Sequence, residues 1–206
     1  MSFFENTRKP VGLGGKIMVA MMNWGHSPVA RWGLRFLELT PDAKVLDCGC
    51  GGGANIKRLL KKCPEGIVKG IDYSPVSVEK SKKVNEAAVT KGRCTVLRAS
   101  VAELPFESEQ FNAVTAFETV YFWPDLPQCF REVWRVLKPD GTFLICNESN
   151  GDTDKDEKWT EIIGGMTIYK DAELKTYLEQ AGFHDVQIHK KKSWLCVTAL
   201  KRGGKS

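Results

Sequence analysis

Short apolar runs alternate with longer amphipathic runs along most of this chain. The apolar runs predict strands, and they occupy 44–48, 67–71, 94–98, 111–117 and 142–147. The amphipathic runs between them predict helices, over 53–62, from Pro75 onward and over about 126–137. Ser74 before Pro75, and Ser27 before Pro28, are residue types that cap a helix and begin its first turn.

The order of these elements predicts an α/β fold. Strands that alternate with helices favour a parallel sheet with right-handed crossovers and helices on both faces. The last part of the chain differs, because a helix over 171–183 is followed by two apolar-rich runs around the basic residues 190–192. That pattern is typical of a hairpin. We therefore expect the final strand to run antiparallel, at or near the edge of the sheet.

The length favours a single domain. A chain of 206 residues with 42% apolar content can bury one sizeable core and is short for two. We expect residues 1–42 to form an N-terminal helical segment, with helices in "GKIMVAMMNW" and "PVARWGLRFLEL". Residues 43–200 form the predicted sheet core, and 201–206 form a basic tail.

Charge and cysteine content exclude several classes of protein. Lysine and arginine outnumber the acidic residues only 30 to 25, so scattered surface charge is favoured over a nucleic-acid footprint. The seven cysteines contain no C-x-x-C pair, which fits neither a disulfide framework nor a zinc site. No run approaches the roughly 20 apolar residues that cross a bilayer, and no export signal is present. We expect a cytoplasmic, metal-independent protein that binds neither nucleic acid nor membrane.

The sequence "VLDCGCGGGANI" at 45–56 falls where a strand ends and a helix begins. Glycines at 49, 51 and 53 permit a tight turn and the close approach of a ligand. Asp72 follows at the end of the next strand, where a carboxylate can accept hydrogen bonds from ribose hydroxyls. Cys48 is expected to face the packed side of its strand, and Cys50 to contribute only its backbone. This combination predicts a nucleotide-binding loop.

Two cofactor classes fit the glycines. Gly49, Gly51 and Ala54 satisfy the dinucleotide pattern G-x-G-x-x-G/A, which indicates an NAD(P)-dependent oxidoreductase. Asp47 favours the other class, because a carboxylate beside a pyrophosphate is repelled by it, whereas S-adenosylmethionine offers a cationic ammonium and sulfonium. A turn carboxylate that caps the helix is the structural alternative for Asp47.

With these residues in place, a family resemblance can be stated. The sequences "VLDCGCGGGANI", "GIDYS", "ELPF", "FREVWRVLKPDGTFLI" and "YLEQAGF" resemble, in order and spacing, the class I S-adenosylmethionine-dependent methyltransferases that act on small molecules. The resemblance covers about 43–200. It implies a Rossmann-like, doubly wound sheet of seven mostly parallel strands, an antiparallel strand in the C-terminal hairpin and an N-terminal helical lid. It also implies methyl transfer from S-adenosyl-L-methionine to a small-molecule acceptor.

The resemblance assigns cofactor contacts position by position. Many relatives have an aspartate where Ser100 stands, so Ser100 offers the adenine a weaker hydrogen bond, beside the backbone of Val101. Either residue can equally be the end of a strand. The full predicted set comprises the methionine contacts Asp47, Gly49, Cys50, Gly51 and Gly53, the ribose contact Asp72, the adenine contacts Tyr73, Ser100 and Val101, and Phe117 at the end of its strand.

Fewer sequence signals indicate which residues bind the methyl acceptor. In-line displacement requires alignment above all, and a general base only when the acceptor arrives protonated. Glu118 and Tyr121 follow a strand end and are the nearest candidates, while core packing is the alternative for Tyr121 and is favoured for Trp123. Histidines that some relatives carry at positions 121 and 122 are missing. So is the Asn-Pro-Pro-aromatic motif of amino-nucleobase methyltransferases, which argues against methylation of DNA bases.

The N-terminal segment supplies the third catalytic candidate. His26 is either a polar group of the acceptor pocket or a histidine of a surface loop, and Met21, Met22 and Trp24 suggest an apolar lid. Further candidates for contact with a substrate are Asn147, Glu148 and Asn150, which we expect at the rim of the site. The remaining alternatives are an RNA or protein methyltransferase and a non-catalytic S-adenosylmethionine-binding module. Monomer and homodimer both remain open.

Overall fold

The computed structural model describes residues 27–152, 156 and 160–203. Its strands are β1 (Lys44–Cys48), β2 (Ile67–Asp72), β3 (Cys94–Arg98), β4 (Phe111–Phe117), β5 (Leu137–Asn147), β6 (Phe183–Lys191) and β7 (Trp194–Lys201). The α-helices that we label are α1 (Ser27–Gly33), α2 (Ala54–Lys62), α3 (Pro75–Val84), α4 (Glu86–Thr90), α5 (Leu126–Val136) and α6 (Asp171–Gln180). Short 3-10 turns span Leu34–Phe36 and Val120–Phe122.

The seven strands form one sheet in the order β3-β2-β1-β4-β5-β7-β6. Strands β1 to β5 pair in parallel, and β7 runs antiparallel between β5 and β6. The predicted doubly wound sheet with an antiparallel final strand near its edge is confirmed. Because parallel strands end at the same edge, the carboxyl ends of β1, β2, β4 and β5 come together there.

Two apolar clusters cover the two faces of the sheet. On one face, α5 packs against β5 and α6 packs against β6 and β7, through buried residues that include Phe130, Phe143 and Leu174. On the other face, α1 and α2 pack through residues that include Val29 and Ile56. The alternation of buried side chains along β1 and β4 sends successive residues to opposite clusters.

Several predicted boundaries are corrected. The helix predicted over 171–183 ends at Gln180, because Gly182 takes a positive φ of 98° and Phe183 begins a strand. Strand β5 begins at Leu137 rather than at 142, because Leu137 pairs with Phe111 before the register shifts. The predicted helix that begins near Ser27 gives way to a 3-10 turn after Gly33.

The predicted caps meet different outcomes. Ser74 caps α3 as predicted, because its hydroxyl accepts a hydrogen bond from the Ser77 N–H. Ser27 is the first residue of α1, and its hydroxyl accepts a hydrogen bond from Arg58 at 2.6 Å. The predicted helix in "GKIMVAMMNW", with Met21, Met22, Trp24 and His26, lies outside the described residues.

Candidate functional site

The turn after β1 requires glycine at position 49. Gly49 has a φ of 72°, and a Cβ there would lie 2.1 Å from the Thr119 hydroxyl oxygen. The Gly49 N–H donates to the Ile71 carbonyl at 2.9 Å, which ties the turn to the end of β2. Gly49 therefore lets the loops after β1, β2 and β4 approach one another.

Gly51 differs from the glycines around it because it faces open space. Its φ is 51°, and no atom lies within 4 Å of the position that a Cβ would take. By contrast, a Cβ on Gly53 would lie 2.5 Å from the Ser81 hydroxyl oxygen and 2.6 Å from the Asn85 amide nitrogen. Gly53 thus allows close packing of α2 on α3, whereas Gly51 leaves its backbone open to a ligand.

Asp72 lies beside this open backbone. Its Oδ2 accepts a hydrogen bond from the Gly51 N–H and its Oδ1 accepts one from the Ser74 N–H, both at 2.9 Å. Burial raises the pKa of Asp72, and these two backbone donors oppose that rise. The Ser77 hydroxyl also lowers the pKa of Asp72 through a hydrogen bond, and a carboxylate has about four acceptor positions in all. The side chain is therefore oriented and can accept the hydrogen bonds of a ribose.

Asp47 is a buried carboxylate at the end of β1. It is 2% exposed, and its Oδ1 accepts a hydrogen bond from the Thr115 hydroxyl at 2.8 Å. Its Oδ2 is buried without a partner. Burial raises the pKa of Asp47 to about 7, the Thr115 hydrogen bond lowers it and the charge of Asp72 raises it further. A cation placed here would favour the ionised form.

Thr115 was missed in the sequence, although a signal was present. It stands directly opposite Asp47 in the pairing of β1 with β4, and it is fully buried. A polar residue inside the otherwise apolar run 111–117 indicates a buried hydrogen bond. The register that supplies its partner, however, is a long-range property.

The two cysteines of the loop behave differently from one another. Cys48 is fully buried and belongs to the cluster beneath α5, as predicted. Cys50 is also buried, and its thiol lies 3.8 Å from the Ser81 hydroxyl. The Cys50 N–H already donates to the Ile71 carbonyl, and the Cys50 carbonyl accepts from the Gly53 N–H. The backbone groups proposed for the cofactor are therefore engaged within the loop.

The remaining predicted cofactor contacts lie at or just beyond the ends of β2, β3 and β4. Tyr73 is 40% exposed next to Asp72. Ser100 is exposed, and its hydroxyl accepts a hydrogen bond from the Ala102 N–H at 3.2 Å. Val101 and Phe117 are buried in the two apolar clusters. Of these four residues, Tyr73 and Ser100 therefore present accessible side chains.

Glu118 joins the ends of β4 and β5. Its backbone has a φ of 58°, a conformation that costs a non-glycine residue about 1 kcal/mol or more. Its N–H donates to the Cys146 carbonyl at 3.0 Å, and its carboxylate accepts a short hydrogen bond from the Glu148 N–H. The side chain is thus fixed against the loop after β5.

Tyr121 is fixed in the same way. It is 3% exposed, and its hydroxyl accepts a hydrogen bond from the Ser149 N–H at 3.0 Å and donates one to the Ser149 carbonyl at 3.4 Å. Burial raises the pKa of Tyr121 well above its usual range, and the charge of Glu118 adds to that rise. A phenol in this environment stays protonated at neutral pH and holds the loop after β5 in place.

Trp123 is part of the core. It is 8% exposed, its ring stacks on Phe143 with centroids 6.2 Å apart, and its indole N–H donates to the Thr119 hydroxyl at 3.2 Å. The favoured core interpretation is confirmed. His26, the third catalytic candidate, lies outside the described residues.

The expectation that Asn147 and Asn150 face the rim is wrong. They are 1% and 3% exposed. Asn147 lies on the sheet face of the apolar cluster that contains Phe143 and Ile145, and the Asn150 amide donates to the Lys192 carbonyl of the C-terminal hairpin. Neither Oδ1 nor Nδ2 of Asn147 has a hydrogen-bond partner. Leaving each buried atom unpaired costs about 1–3 kcal/mol.

The described residues contain no group of three or more His, Cys, Asp or Glu side chains that could hold a metal ion. All seven cysteines are buried and free. Within the same ranges, no helix combines the length and apolar character needed to cross a bilayer.

Comparison with known proteins agrees with this geometry. Residues 46–145, just under half of the chain, match a family model described as a methyltransferase domain. The chain is 28% identical over 169 residues to cycloartenol-C-24-methyltransferase of Arabidopsis thaliana, which covers 82% of this chain and 46% of that protein. It is 27% identical over 165 residues to "Putative methyltransferase YrhH" of Bacillus subtilis (strain 168), which covers 80% of this chain and 82% of that protein.

A solved structure gives the same fold. Phosphoethanolamine N-methyltransferase 2 of Haemonchus contortus, in complex with S-adenosyl-L-methionine, aligns with a TM-score of 0.78 at 15% identity and covers 98% of this chain and 60% of that one. At this identity the likeness concerns the fold alone. The chain spans less than half the length of the plant cycloartenol-C-24-methyltransferases that it matches, 31% of the rice protein and 46% of the Arabidopsis protein.

Proposed function

We propose that this chain, which matches a methyltransferase domain over residues 46–145, is a class I enzyme that transfers a methyl group from S-adenosylmethionine to a small-molecule acceptor by in-line displacement. One observation carries the proposal. The open backbone at Gly51 lies against Asp72 and follows the buried carboxylate of Asp47 along the same loop. A backbone without a Cβ admits a ligand, and two acids select a cationic nucleoside over a diphosphate.

The proposed cofactor contacts divide into two kinds. Asp72 is already oriented by two backbone donors and would accept the ribose hydroxyls. Asp47 has an unpaired oxygen and would be stabilised as a carboxylate by the positive charge of the methionine part. The other residues that we propose to line the cofactor site are Gly49, Cys50, Gly51, Gly53, Tyr73, Ser100, Val101 and Phe117.

When bound, the cofactor supplies a methyl group on a sulfonium, a carbon that is already activated. The task of the protein is therefore to hold the acceptor in line and to exclude water. Tyr121 and Glu118 act by fixing the loop after β5, on which the acceptor side of the site is built. The Tyr121 phenol is a poor general base, because its pKa is raised by burial and its proton is directed at a backbone carbonyl.

The nature of the acceptor is the finer part of the proposal. Several similar proteins are named for methylation of small apolar compounds, including cycloartenol and squalene, which supports a small molecule here. We further propose a cytoplasmic single-domain protein, monomeric or homodimeric, that acts on no nucleic acid. In it, residues 1–42 shape the acceptor pocket and include His26.

Calorimetry with S-adenosylhomocysteine tests cofactor binding. We expect the wild-type chain to bind S-adenosylhomocysteine. Asp72→Ala should bind it at least about tenfold more weakly, because the two oriented carboxylate oxygens that accept hydrogen bonds are lost. Asp42→Ala is the matched control, since Asp42 is an exposed carboxylate that precedes the opposite end of β1. No binding by the wild type, or equal binding by Asp72→Ala, would contradict the proposal.

The acceptor class has a separate test. Incubation of the enzyme and isotopically labelled S-adenosylmethionine with a cell extract should place the label in the small-molecule fraction. Label in the RNA or protein fraction would contradict the small-molecule part while leaving the methyltransferase part intact.

A further inference from the structure

Asn147 differs from the other buried asparagines that the structure describes. The Asn85 amide donates to the carbonyls of Gly53 and Ser81, each at 3.0 Å. The Asn150 amide donates to the Lys192 carbonyl at 3.3 Å, and its oxygen accepts from the Asp152 N–H at 3.0 Å. Asn147 is more deeply buried than either and pairs neither of its polar atoms. Unpaired buried polar atoms are destabilising, so this amide requires an explanation other than stability.

The position of Asn147 supplies that explanation. It is the last residue of β5, at the edge of the sheet where the strand ends form the proposed site. By strand alternation its side chain lies on the same face as Phe143 and Ile145, both in the apolar cluster that also contains its pairing partner Leu195. An unpaired amide thus lies at the site, on its apolar side.

The backbone around Asn147 is held on both sides. The Cys146 carbonyl accepts from the Glu118 N–H. The Glu148 N–H donates to the Glu118 carboxylate, and the Ser149 N–H donates to the Tyr121 hydroxyl. Residues that recognise ligands are effective when their supports are fixed in this way. These contacts hold the amide in place without using it.

We propose that Asn147 recognises the methyl acceptor, and that this acceptor is an uncharged, mainly apolar molecule that carries a hydroxyl group. The proposal rests on the methyltransferase function proposed above. A carboxamide both donates and accepts hydrogen bonds, and a hydroxyl is the smallest neutral group that does the same. The apolar cluster favours an apolar body, and the carboxylates of Glu118 and Glu148 disfavour an anion.

The burial of the amide adds a condition. Because Asn147 is 1% exposed, the acceptor reaches it only when neighbouring groups move. A movement of the loop over 148–150, which follows Asn147 directly, would break the contacts between Tyr121 and Ser149. Binding of the acceptor is therefore expected to be slower than diffusion.

The test compares one alcohol with its hydrocarbon on the chain saturated with S-adenosylhomocysteine. The probes are 1-naphthol, which is neutral at pH 7, and naphthalene, which lacks the hydroxyl. Asn147→Leu keeps the branched shape of the side chain and removes both polar atoms. Asn112→Leu is the matched control, because the Asn112 oxygen accepts hydrogen bonds from Lys44 and Lys138 at the opposite end of the sheet.

We expect the wild type to bind 1-naphthol at least about tenfold more tightly than naphthalene, and Asn147→Leu to bind the two alike. We also expect Asn147→Leu to raise the melting temperature by about 2–4 °C with unchanged affinity for S-adenosylhomocysteine. Asn112→Leu should lower the melting temperature and keep the preference for 1-naphthol.

Three results would overturn the inference. They are equal binding of both probes by the wild type, a preference for 1-naphthol that survives in Asn147→Leu, and a lower melting temperature of Asn147→Leu, which would mean that the amide is satisfied within the protein. Wild-type protein that binds no S-adenosylhomocysteine would instead contradict the proposed function itself.

Discussion

The cofactor side and the acceptor side of the proposed site are built in opposite ways. At the ends of β1 and β2, one short loop leaves its backbone open at Gly51 and directs Asp72 with two amide donors. At the ends of β4 and β5, Glu118 and Tyr121 are closed onto the neighbouring loop. The first region leaves its backbone accessible, whereas the groups of the second are paired within the protein. This difference is expected if related enzymes share the cofactor and differ in the acceptor.

Replacement of Asp47 tests the cofactor side with the largest expected effect. Burial raises the pKa of Asp47 from 3.8 to about 7, so between these values the folded chain binds more protons than the unfolded chain. Stability from this group therefore falls as the pH rises from about 4 to about 7. The loss reaches on the order of 4 kcal/mol, which corresponds to three pKa units.

Asp47→Asn should remove this loss. The free energy of unfolding of the variant, measured by urea titration, should increase relative to the wild type between pH 4.5 and pH 7.5. A difference that is constant over this range would mean that Asp47 is ionised in the folded protein at acidic pH, and that its burial does not act as described.

Gly49→Ala tests the close approach of the loops. Its positive φ costs about 1–2 kcal/mol and the overlap with Thr119 adds about 1–3 kcal/mol, so chemical denaturation should show a loss of about 2–5 kcal/mol. Gly92→Ala is the control, because Gly92 has a φ of 71° and open space around it. Gly92→Ala should lose only the stability that corresponds to the positive φ, about 1–2 kcal/mol. Equal losses would show that the overlap is relieved without cost.

Thr115→Val measures the support of Asp47. It removes the hydroxyl that donates to the Asp47 carboxylate, so the pKa of Asp47 should rise further. Stability should fall by about 1–2 kcal/mol above pH 7 and change little near pH 4, where Asp47 is protonated. The expected signature is a greater loss at high pH, and a pH-independent loss would contradict it.

Tyr121→Phe separates support from catalysis on the acceptor side. Loss of the bonds to Ser149 should cost about 1 kcal/mol of stability and lower kcat less than tenfold. A general base contributes about 10²–10⁴-fold to the rate. A fall in kcat of that size, together with loss of the ionisation of the base from the pH–rate profile, would assign the proton transfer to this phenol.

The cofactor side could be predicted from the sequence because its determinants are local. The glycines at 49, 51 and 53 and the acid at the end of the next strand predict the turn and its open backbone. The alternation of strands and helices predicts the parallel sheet, and the C-terminal hairpin pattern predicts its antiparallel strand. Thr115 was missed because its partner Asp47 becomes a neighbour only through the register of β1 and β4.

The acceptor side could not be predicted for the same reason. Tyr121 and Ser149, 28 residues apart, meet through the pairing of β4 with β5. Asn147 was expected at the rim because polar residues at a strand end are usually accessible, but its side chain faces the apolar cluster on one side of the sheet and is buried. No local pattern in the sequence distinguishes an unpaired amide from the paired amides of Asn85 and Asn150.

The central claim is that two acidic residues around an open glycine backbone select a cationic nucleoside. Calorimetric titration of the wild-type chain with S-adenosylmethionine and, under identical conditions at pH 7.5, with NAD tests it directly. The account predicts a measurable dissociation constant for S-adenosylmethionine and no heat from NAD up to about 1 mM, where binding energy would be about 4 kcal/mol. Binding of NAD with equal or greater affinity would contradict it.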